Sequence, residues 1–265
     1  MEVVCSSKLL NIKKTFDCGQ CFRWNEKDGK YEGVTGNYPA VFLEKDGYVM
    51  VESDAPMKFW NNYFDLNEDY EAHSKEFEDI PYLKTCKEFG QGIRILRQDP
   101  WEALCSFIIS QCNNIPRIKG IVEKLCLGYG EKKEFKGKEY SMFPKAEVLA
   151  KLKPDDLAYL RSGYRAPYII DAARAVDSGD IDLDKLSKIP YKEAKKELLK
   201  LNGVGEKVAN CAVLFGLHHM EAFPVDVWMK RALNENFPKD FDPETLGDFA
   251  GLAQQYIFYY ARSNG

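Results

Sequence analysis

The chain has 265 residues, 45% hydrophobic side chains, eight cysteines and a formal net charge of −4, enough for one large domain or two modest ones. It has neither a run of about 18 apolar residues nor the segments of a signal peptide, which excludes a transmembrane helix and favours a cytoplasmic protein with reduced thiols. The small negative charge argues only weakly against a polyanionic partner, because a local basic face can still bind one.

Residues 1–85 are predicted to form an antiparallel β-sheet domain. Asp28-Gly29 and Asp46-Gly47 each separate two short runs of aromatic or β-branched residues. Asp-Gly between such runs is a strong signal for a β-hairpin. A short helix is expected at 57–64.

Residues 86–265 are predicted to form a helical bundle, so that the fold class is α+β. Asp99 caps a buried helix over 101–110, Pro100 occupies its first position, and Glu102 is placed to complete a capping box. Asp242 caps the last helix, in which apolar residues recur at helical spacing. Other helices are predicted at 115–125, 145–152, 154–161, 166–178, 183–187, 191–201, 206–217 and 227–236.

A glycine hairpin between two of these helices is the most informative motif. Gly203 and Gly205 flank Val204, and the following helix carries Lys207 in its first turn. Glycine allows close backbone approach, and a helix N-terminus offers free N–H groups to a phosphate. A plain tight turn between helices explains G-V-G equally well when the glycines are considered alone.

Lys207 and Asp226 suggest chemistry beside this hairpin. The helix dipole disfavours a cation at Lys207, so the side chain is either fully solvated or desolvated toward its neutral, nucleophilic form. Cys211 shares its helix face, although a buried cysteine is more often a small hydrophobe. Asp226 follows Pro224-Val225 and fits a simple N-cap, a role compatible with catalysis.

Six ordered blocks along nearly the whole chain resemble the helix-hairpin-helix DNA glycosylase superfamily and, within it, the 8-oxoguanine DNA glycosylase/AP lyase family. They are FDCGQCFRW, RQDPWEALCSFIISQCNNIPRI, SGYRAPYI, LNGVGEKVANC, FPVDVW and GLAQQYIF. The resemblance implies a DNA repair enzyme that flips 8-oxoguanine out of double-stranded DNA, preferably from opposite cytosine, and excises it. It also implies a monomeric, nucleoid-associated protein that cleaves the abasic site by β-elimination.

The resemblance assigns roles to residues of the lesion site. Lys207 would attack C1′ and form a Schiff base, and Asp226 would stabilise the cationic transition state. The carbonyl of Gly19 would accept the N7–H of the lesion, although a turn glycine is the simpler explanation. Gln254 would read the Watson–Crick edge.

Further roles concern stacking and the DNA duplex. Phe258 would stack on the base opposite Cys211, whereas without the family it would be assigned to the core. Tyr164 would fill the vacated stack. Asn113, Arg117 and Arg165 would hold the duplex opening and the orphaned cytosine, and Gly203 and Gly205 would contact the DNA backbone.

The chain departs from the family pattern at three positions. Cys112 replaces the first asparagine of an N-N-N run, which predicts weaker discrimination for cytosine opposite the lesion. Asn202 stands where proline is common, and Trp228 replaces a frequent histidine that contacts phosphate. The sheet region is shorter than in long eukaryotic members, which favours a prokaryotic type.

No metal or cofactor is predicted to be required. Cys18 and Cys21 have zinc half-site spacing, but no second close pair completes four ligands. No cysteine follows Cys211, so the C-terminal iron–sulfur loop of related endonucleases is absent. A monovalent cation that bridges hairpin carbonyls and a DNA phosphate is compatible with the resemblance.

Two alternative functions are open. A monofunctional glycosylase for alkylated bases would not need Lys207. A non-catalytic helix-hairpin-helix module that only binds DNA would not need Asp226, Gly19 and Gln254 together.

Overall fold

The computed structural model describes residues 1–264 and contains a five-stranded antiparallel sheet near the N-terminus. The strand order is β1-β5-β4-β3-β2, and both predicted Asp-Gly hairpins are present, between β2 and β3 and between β4 and β5. The strands are β1 (Glu2–Ser6), β2 (Asn25–Lys27), β3 (Lys30–Thr35), β4 (Tyr38–Lys45) and β5 (Tyr48–Ser53).

One face of this sheet buries an aromatic core under two helices, α1 (Ile12–Asp17) and the predicted α2 (Met57–Tyr63). Phe16 on α1 stacks on Trp24 with ring centroids 4.7 Å apart, and Phe42 on β4 meets Trp60 on α2 edge to face. Such aromatic pairs add to the free energy of apolar burial. This packing fixes α1 and the loop that follows it.

The strands end at Ser53, earlier than the β-rich region predicted for residues 1–85. Residues 57–90 are mostly helical: α2 is followed by α3 (Tyr70–His73), a 3₁₀ turn (Lys75–Asp79) and α4 (Pro81–Gly90). Phe77 belongs to the second, helical core, whereas Leu96 returns to the sheet core. The boundary at residue 85 stays a prediction, since the two cores interleave around it.

The helical region agrees with the predicted pattern, and between residues 145 and 236 every predicted helix is present within three residues of its expected ends. Its α-helices are α5 (Pro100–Ile109), α6 (Ile115–Tyr129), α7 (Ala146–Leu149), α8 (Arg165–Asp177), α9 (Leu183–Leu186), α10 (Tyr191–Leu198), α11 (Glu206–Phe215), α12 (Val227–Asn236) and α13 (Ala250–Asn264), with 3₁₀ segments at Pro154–Leu160 and Pro243–Phe249. In residues 1–264 no helix is both long and apolar enough to span a bilayer.

Asp99 caps its helix as predicted, but the capping box at Glu102 is wrong. The single last helix predicted to start at Asp242 is also wrong, because Asp242 caps the 3₁₀ segment and Gly247, at φ +70°, separates that segment from α13. Asp99 Oδ1 accepts the Glu102 N–H at 2.8 Å, and Asp242 Oδ1 accepts the Glu244 N–H at 2.9 Å. The Glu102 carboxylate instead faces the buried Arg23, with Oε2 4.0 Å from Nη1. Burial raises the pKa of Glu102 to about 7, although Arg23 opposes the shift.

A small hairpin formed by β6 (Lys132–Phe135) and β7 (Lys138–Ser141) was not predicted. Its sequence is dominated by lysine and glutamate, which hide the alternation typical of strands. The hairpin lies against the main sheet, where Lys133 Nζ donates to the Asn37 carbonyl at 2.9 Å.

Candidate active site

A cavity of about 1090 Å³ lies where the two cores meet. Its walls come from the loop after α1, the end of α5 and start of α6, the first turns of α11 and α12, and the last turns of α13. Seven charged side chains line it together with aromatic rings: Asp17, Lys119, Glu206, Lys207, Asp226, Lys230 and Arg262. The cavity combines polar catalytic groups with flat apolar walls, as small-molecule sites do.

The glycine hairpin joins α10 to α11 at one edge of this cavity. Gly203 has φ +78°, and a Cβ added there would lie 2.2 Å from Cδ2 of Tyr168, so the turn admits only glycine at this position. Gly205 faces open space and lines the cavity. It gives α11 no side-chain cap, which leaves the first N–H groups of the helix free to bind a ligand.

Lys207 is half-buried, and its ammonium points into the cavity. Nζ donates to Ser110 Oγ at 2.9 Å and lies 5.4 Å from the ring centroid of Phe107. Cys211, one turn further along α11, is buried, and its burial raises the pKa to about 11 although the charge of Lys207 opposes the shift. The thiol beside the lysine is therefore neutral at physiological pH.

Asp226 lines the same cavity and caps α12 as predicted. Its Oδ1 accepts the Met229 N–H at 2.9 Å, which holds the carboxylate rigidly at the helix start. Oδ2 accepts no hydrogen bond from residues 1–264 and is left for a ligand. Capping and a second role at the cavity are therefore compatible in one side chain.

The loop that contains Gly19 is held by α13. Gln255 Nε2 donates to the Cys18 carbonyl at 2.6 Å, and Arg262 Nη2 donates to the Asp17 carbonyl. The next carbonyl, that of Gly19, receives no hydrogen bond from any described residue. The bound carbonyls of Asp17 and Cys18 therefore fix the position of the Gly19 carbonyl, which is free to accept a hydrogen bond.

Gln20 fixes the other side of this loop through a fully buried amide. Its Nε2 donates to the carbonyls of Thr15 at 3.0 Å and Arg94 at 2.8 Å, and its Oε1 accepts the Leu96 N–H at 2.9 Å. Buried amides with every group paired rigidify the backbone around them. Gly19 itself is therefore presented by a rigid loop.

Gly19 and Phe258 contact each other at the cavity wall. Gly19 has φ +83°, and a Cβ added there would come within 3.1 Å of Phe258 Cε1. Both residues line the cavity, whereas Cys211 and Gln254 are buried behind its wall. The Gln254 Oε1 atom is buried and has no hydrogen-bond partner among residues 1–264.

Of the predicted DNA-contacting residues other than the hairpin glycines, three have accessible side chains and one, Arg165, is buried. Tyr164 is 49% exposed, and Arg117 is exposed at the surface with Nη2 3.2 Å from the Arg161 carbonyl. Asn113 lines the cavity, and its Nδ2 lies 3.3 Å from the Ile109 carbonyl. These three side chains are accessible to a ligand at the surface or in the cavity.

Arg165 differs, because its guanidinium is buried and bonded within the protein. It donates to the carbonyls of Gln111 at 2.9 Å, Ser162 at 2.9 Å and Cys112 at 3.3 Å. Its Cζ lies 4.4 Å from the ring centroid of Tyr164. In this structure Arg165 supports the loop between α5 and α6 and the ring of Tyr164.

The three departures from the family pattern have distinct surroundings. Cys112 is exposed on the cavity rim with φ +46°, a backbone conformation that asparagine adopts more readily than cysteine. Trp228 lines the cavity next to Asp226. Asn202 Nδ2 donates to Asp171 Oδ2 at 3.1 Å and so ties the hairpin to α8.

The Cys18 and Cys21 thiols each donate to a backbone carbonyl. Cys18 bonds Thr15 at 3.2 Å, and Cys21 lies 3.8 Å from the carbonyl of Phe16. Within the described part of the chain, no group of three or more histidine, cysteine, aspartate or glutamate residues is arranged to hold a metal ion.

Several residues of the site were not predicted from the sequence. Ser110 and Phe107 contact Lys207 from a helix nearly 100 residues away, and no local pattern connects them. Arg262 had a signal, because it follows Gln254 and Phe258 at spacings of eight and four residues on one helix face. Gln255 and Gln20 lack such a signal.

Comparisons with known proteins agree with this geometry. Residues 2–104 match the 8-oxoguanine DNA glycosylase N-terminal domain, and residues 105–244 match the HhH-GPD superfamily of base excision DNA repair proteins. A probable N-glycosylase/DNA lyase of Methanothermobacter thermautotrophicus is 32% identical over 91% of this chain and 89% of its own length.

Solved structures extend the similarity to three dimensions. MBOgg1 in complex with a low-affinity DNA ligand is 40% identical, with a TM-score of 0.92 over 98% of this chain and 94% of that one. The 8-oxoguanine glycosylase/lyase of Clostridium acetobutylicum, bound to double-stranded DNA with cytosine opposite 8-oxoguanine, is 37% identical, with a TM-score of 0.91 over 97% and 93%. The chain therefore belongs to the 8-oxoguanine DNA glycosylase family of the HhH-GPD base excision repair superfamily.

Proposed function

We propose that this protein excises 8-oxoguanine from double-stranded DNA and then cleaves the strand at the abasic site. The observation that carries this function is the placement of Lys207, Asp226 and the free carbonyl of Gly19 around one cavity. A lyase needs the amine, base release needs the carboxylate, and recognition of the lesion needs the carbonyl. The activities of the similar glycosylase/lyases support the same conclusion.

The chemistry begins with Lys207 Nζ, which attacks C1′ of the flipped nucleotide as the C1′–N9 bond breaks. The Lys207 ammonium must first lose a proton to water, because the neutral amine is the nucleophile. The carboxylate of Asp226 faces the positive charge that develops on the sugar and stabilises it without reorganisation. The C1′–O4′ bond then breaks as one proton of the attached nitrogen passes to O4′, which leaves a Schiff base. The Schiff base withdraws electrons from C2′, whose proton is lost to water as the 3′-phosphate leaves.

Recognition rests on the carbonyl of Gly19. 8-Oxoguanine carries a hydrogen on N7, which this carbonyl can accept, whereas guanine has a lone pair there that the carbonyl repels. Phe258 stacks on the flipped base, and Cys211 and Gln254 reach it after adjustment of the wall in front of them. The unpaired Oε1 of Gln254 gains a donor from the Watson–Crick edge.

The duplex is held around the flipped nucleotide by residues at the rim. Tyr164 fills the vacated stack, Arg117 and Asn113 face the orphaned cytosine, and Arg165 holds the backbone of the loop that carries Asn113. The free N–H groups near Gly205 bind a phosphate. One wedge and one cavity suffice for one lesion, so we propose a monomer that acts on the nucleoid in the cytoplasm.

No metal or cofactor enters the proposed reaction, but the hairpin suits a monovalent cation. The carbonyls of Leu199 and Val204 accept no hydrogen bond within residues 1–264, and such oxygens are the ligands that hard cations prefer. These carbonyls would hold the ion against a DNA phosphate. A change in DNA affinity when potassium replaces tetramethylammonium at constant ionic strength would test this site.

Borohydride trapping tests the proposed function. A duplex with one 8-oxoguanine opposite cytosine is incubated with the protein, with Lys207→Gln and with Lys230→Gln, a control that removes another lysine of the cavity. We expect a covalent adduct from the wild type and the control, and none from Lys207→Gln, which should still bind the duplex. Base release without an adduct would indicate a monofunctional glycosylase, and binding without release a DNA-binding module.

A further inference from the structure

Arg262 is a cationic side chain of the lesion cavity that also helps to hold the loop containing Gly19. It lies on the last turns of α13, four residues after Phe258, and lines the cavity beside Gly19. Its Nη2 donates to the Asp17 carbonyl, and its Cζ lies 5.5 Å from the ring centroid of Phe258. Both contacts hold the guanidinium in one orientation.

The second terminal nitrogen of Arg262 is unused. Nη1 is buried and has no acceptor among the residues that the structure describes. It lies 3.5 Å from the position that a Cβ of Gly19 would occupy, and therefore beside the backbone of the loop that presents the Gly19 carbonyl. A buried cationic donor without an acceptor is costly and persists where a ligand supplies the acceptor.

The 8-oxoguanine base that this cavity would receive carries hydrogen-bond acceptors on the side that would face Nη1 of Arg262. If the Gly19 carbonyl accepts N7–H, as proposed above, then the two oxygens that flank N7 in 8-oxoguanine, O6 and O8, lie near the same loop. Both are carbonyl acceptors, and a guanidinium is a strong donor to oxygen. One of these oxygens would satisfy Nη1.

We propose that Arg262 is a catalytic residue that donates through Nη1 to a carbonyl oxygen of the lesion and stabilises the departing base. When the C1′–N9 bond breaks, its electron pair passes to N9, and Lys207 Nζ forms the new bond to C1′. The negative charge spreads from N9 through the ring to O8 and O6 until a proton from water neutralises the base. A fixed cation at these oxygens stabilises the charge as it develops.

The proposal rests on the proposed function, but its test separates the two. Strand cleavage at a preformed abasic site needs Lys207 and no base, so Arg262 should matter only for base release. In single-turnover assays we expect Arg262→Met to slow release of 8-oxoguanine on the order of 100-fold. Cleavage of the abasic site should stay close to the wild-type rate. The control is Arg174→Met, because Arg174 also donates to backbone carbonyls but lies away from the cavity.

A merely structural role for Arg262 predicts a different pattern. Gln255 holds the neighbouring carbonyl of the same loop and does not line the cavity. If Gln255→Leu slows base release as selectively as Arg262→Met, the effect comes from the loop and the proposal is wrong. It is equally wrong if Arg262→Met leaves release unchanged or slows both steps alike. Should Arg262→Met unfold below the assay temperature, Arg262→Lys decides by the same comparison, with a smaller selective loss expected.

A second substrate identifies the oxygen. 8-Oxoadenine keeps N7–H and O8 but carries an amino group in place of O6. If Nη1 donates to O8, Arg262→Met should slow release of both bases by the same factor. If it donates to O6, the loss should disappear for 8-oxoadenine and remain for 8-oxoguanine. If the loss is instead greater for 8-oxoadenine than for 8-oxoguanine, a hydrogen bond to either oxygen is excluded.

Discussion

His218 Nε2 lies 3.1 Å from Asp65 Oδ2, which joins the segment after the lysine-bearing helix α11 to the segment after α2 of the sheet core. Both side chains are almost fully buried, with 9% and 4% exposure. Asp65 also accepts hydrogen bonds from Arg97 Nε at 2.7 Å and the Tyr70 hydroxyl at 3.0 Å. This cluster anchors the helix of Lys207 to the core that supports the Gly19 loop.

Asp65→Asn should destabilise the protein at neutral pH. Burial alone would raise the pKa of Asp65, but His218 and Arg97 hold it at about 2. The pKa of Asp65 in the unfolded chain is near 3.9, so its lowering in the fold contributes about 2 kcal/mol to the free energy of unfolding. This contribution is present above pH 4 and is lost as pH falls toward 2. Urea unfolding at pH 7 and pH 3 should show the loss in the wild type and not in Asp65→Asn. Exposed Asp184→Asn is the control, and matching pH profiles for all three proteins would contradict the prediction.

Glu102→Gln should change stability in the opposite direction. With a pKa of about 7 in the fold, Glu102 is protonated there while its unfolded counterpart is ionised. The free energy of unfolding should therefore fall as pH rises from about 4.3 to 7, by about 1–3 kcal/mol. Glu102→Gln should lack this fall and be more stable than the wild type at pH 8. Equal stability of the two proteins at pH 8 would show that the fold does not raise the pKa of Glu102.

The sequence predicts well those secondary-structure elements that are determined by residues close together in the chain. Asp-Gly turns, helix caps and helical spacing depend on neighbouring residues, and the hairpins and the helices from residue 145 to 236 follow them closely. The hairpin β6–β7 was missed because charged residues occupy both of its faces. Glu102 satisfied the spacing of a capping box, yet a distant partner, Arg23, determined where its carboxylate lies.

The site was predictable only where a motif carries it. Lys207, Asp226 and Gly19 were identified through family blocks, and the structure brings all three to one cavity. Ser110 lies in the same cavity through tertiary packing, which leaves no spacing in the sequence, whereas Arg262 shares a helix face with Phe258. Arg165 was assigned to DNA, although its guanidinium is already bonded to carbonyls of its own loops.

Gly19→Ala should weaken recognition of the lesion more than it weakens the fold. The substitution forces a side chain into φ +83° and against Phe258 at 3.1 Å, so the loop or the ring must move. Single-turnover release of 8-oxoguanine should fall at least tenfold, by analogy with small displacements of positioning groups in active sites. Cleavage of a preformed abasic site should fall less. Wild-type release by Gly19→Ala would refute reading of the lesion by this carbonyl.

Gly203→Ala and Gly205→Ala should separate folding from DNA binding in the hairpin. A methyl group at Gly203 overlaps Tyr168, so this variant should lose on the order of 1–3 kcal/mol of unfolding free energy. At Gly205 the methyl group meets open space, so stability should change little while affinity for DNA falls. Thermal unfolding and duplex binding, measured on both variants, check the prediction. Equal loss of stability in the two would contradict it.

Cys112→Asn should sharpen preference for cytosine opposite the lesion. Cys112 lies at the cavity rim with φ +46°, and an asparagine there adopts this backbone more readily and adds a donor and an acceptor. We expect the ratio of excision rates opposite cytosine and opposite adenine to rise by about tenfold, as one hydrogen bond to a base allows. Cys112→Ala adds no hydrogen-bonding group and serves as control. An unchanged ratio would indicate that opposite-base reading lies elsewhere.

The attachment of the Gly19 loop to α13 also bears on how this enzyme matures. Gln255 and Arg262 reach back across 237 and 245 residues to hold the carbonyls of Cys18 and Asp17. Contacts of such separation form late, after shorter-range structure, and domains made first on the ribosome fold first. The sheet and the glycine hairpin can thus be in place while the loop still lacks its supports. A nascent chain would therefore bind DNA before it could distinguish 8-oxoguanine from guanine. Discrimination between the two bases is complete only when α13 packs against the loop that contains Gly19.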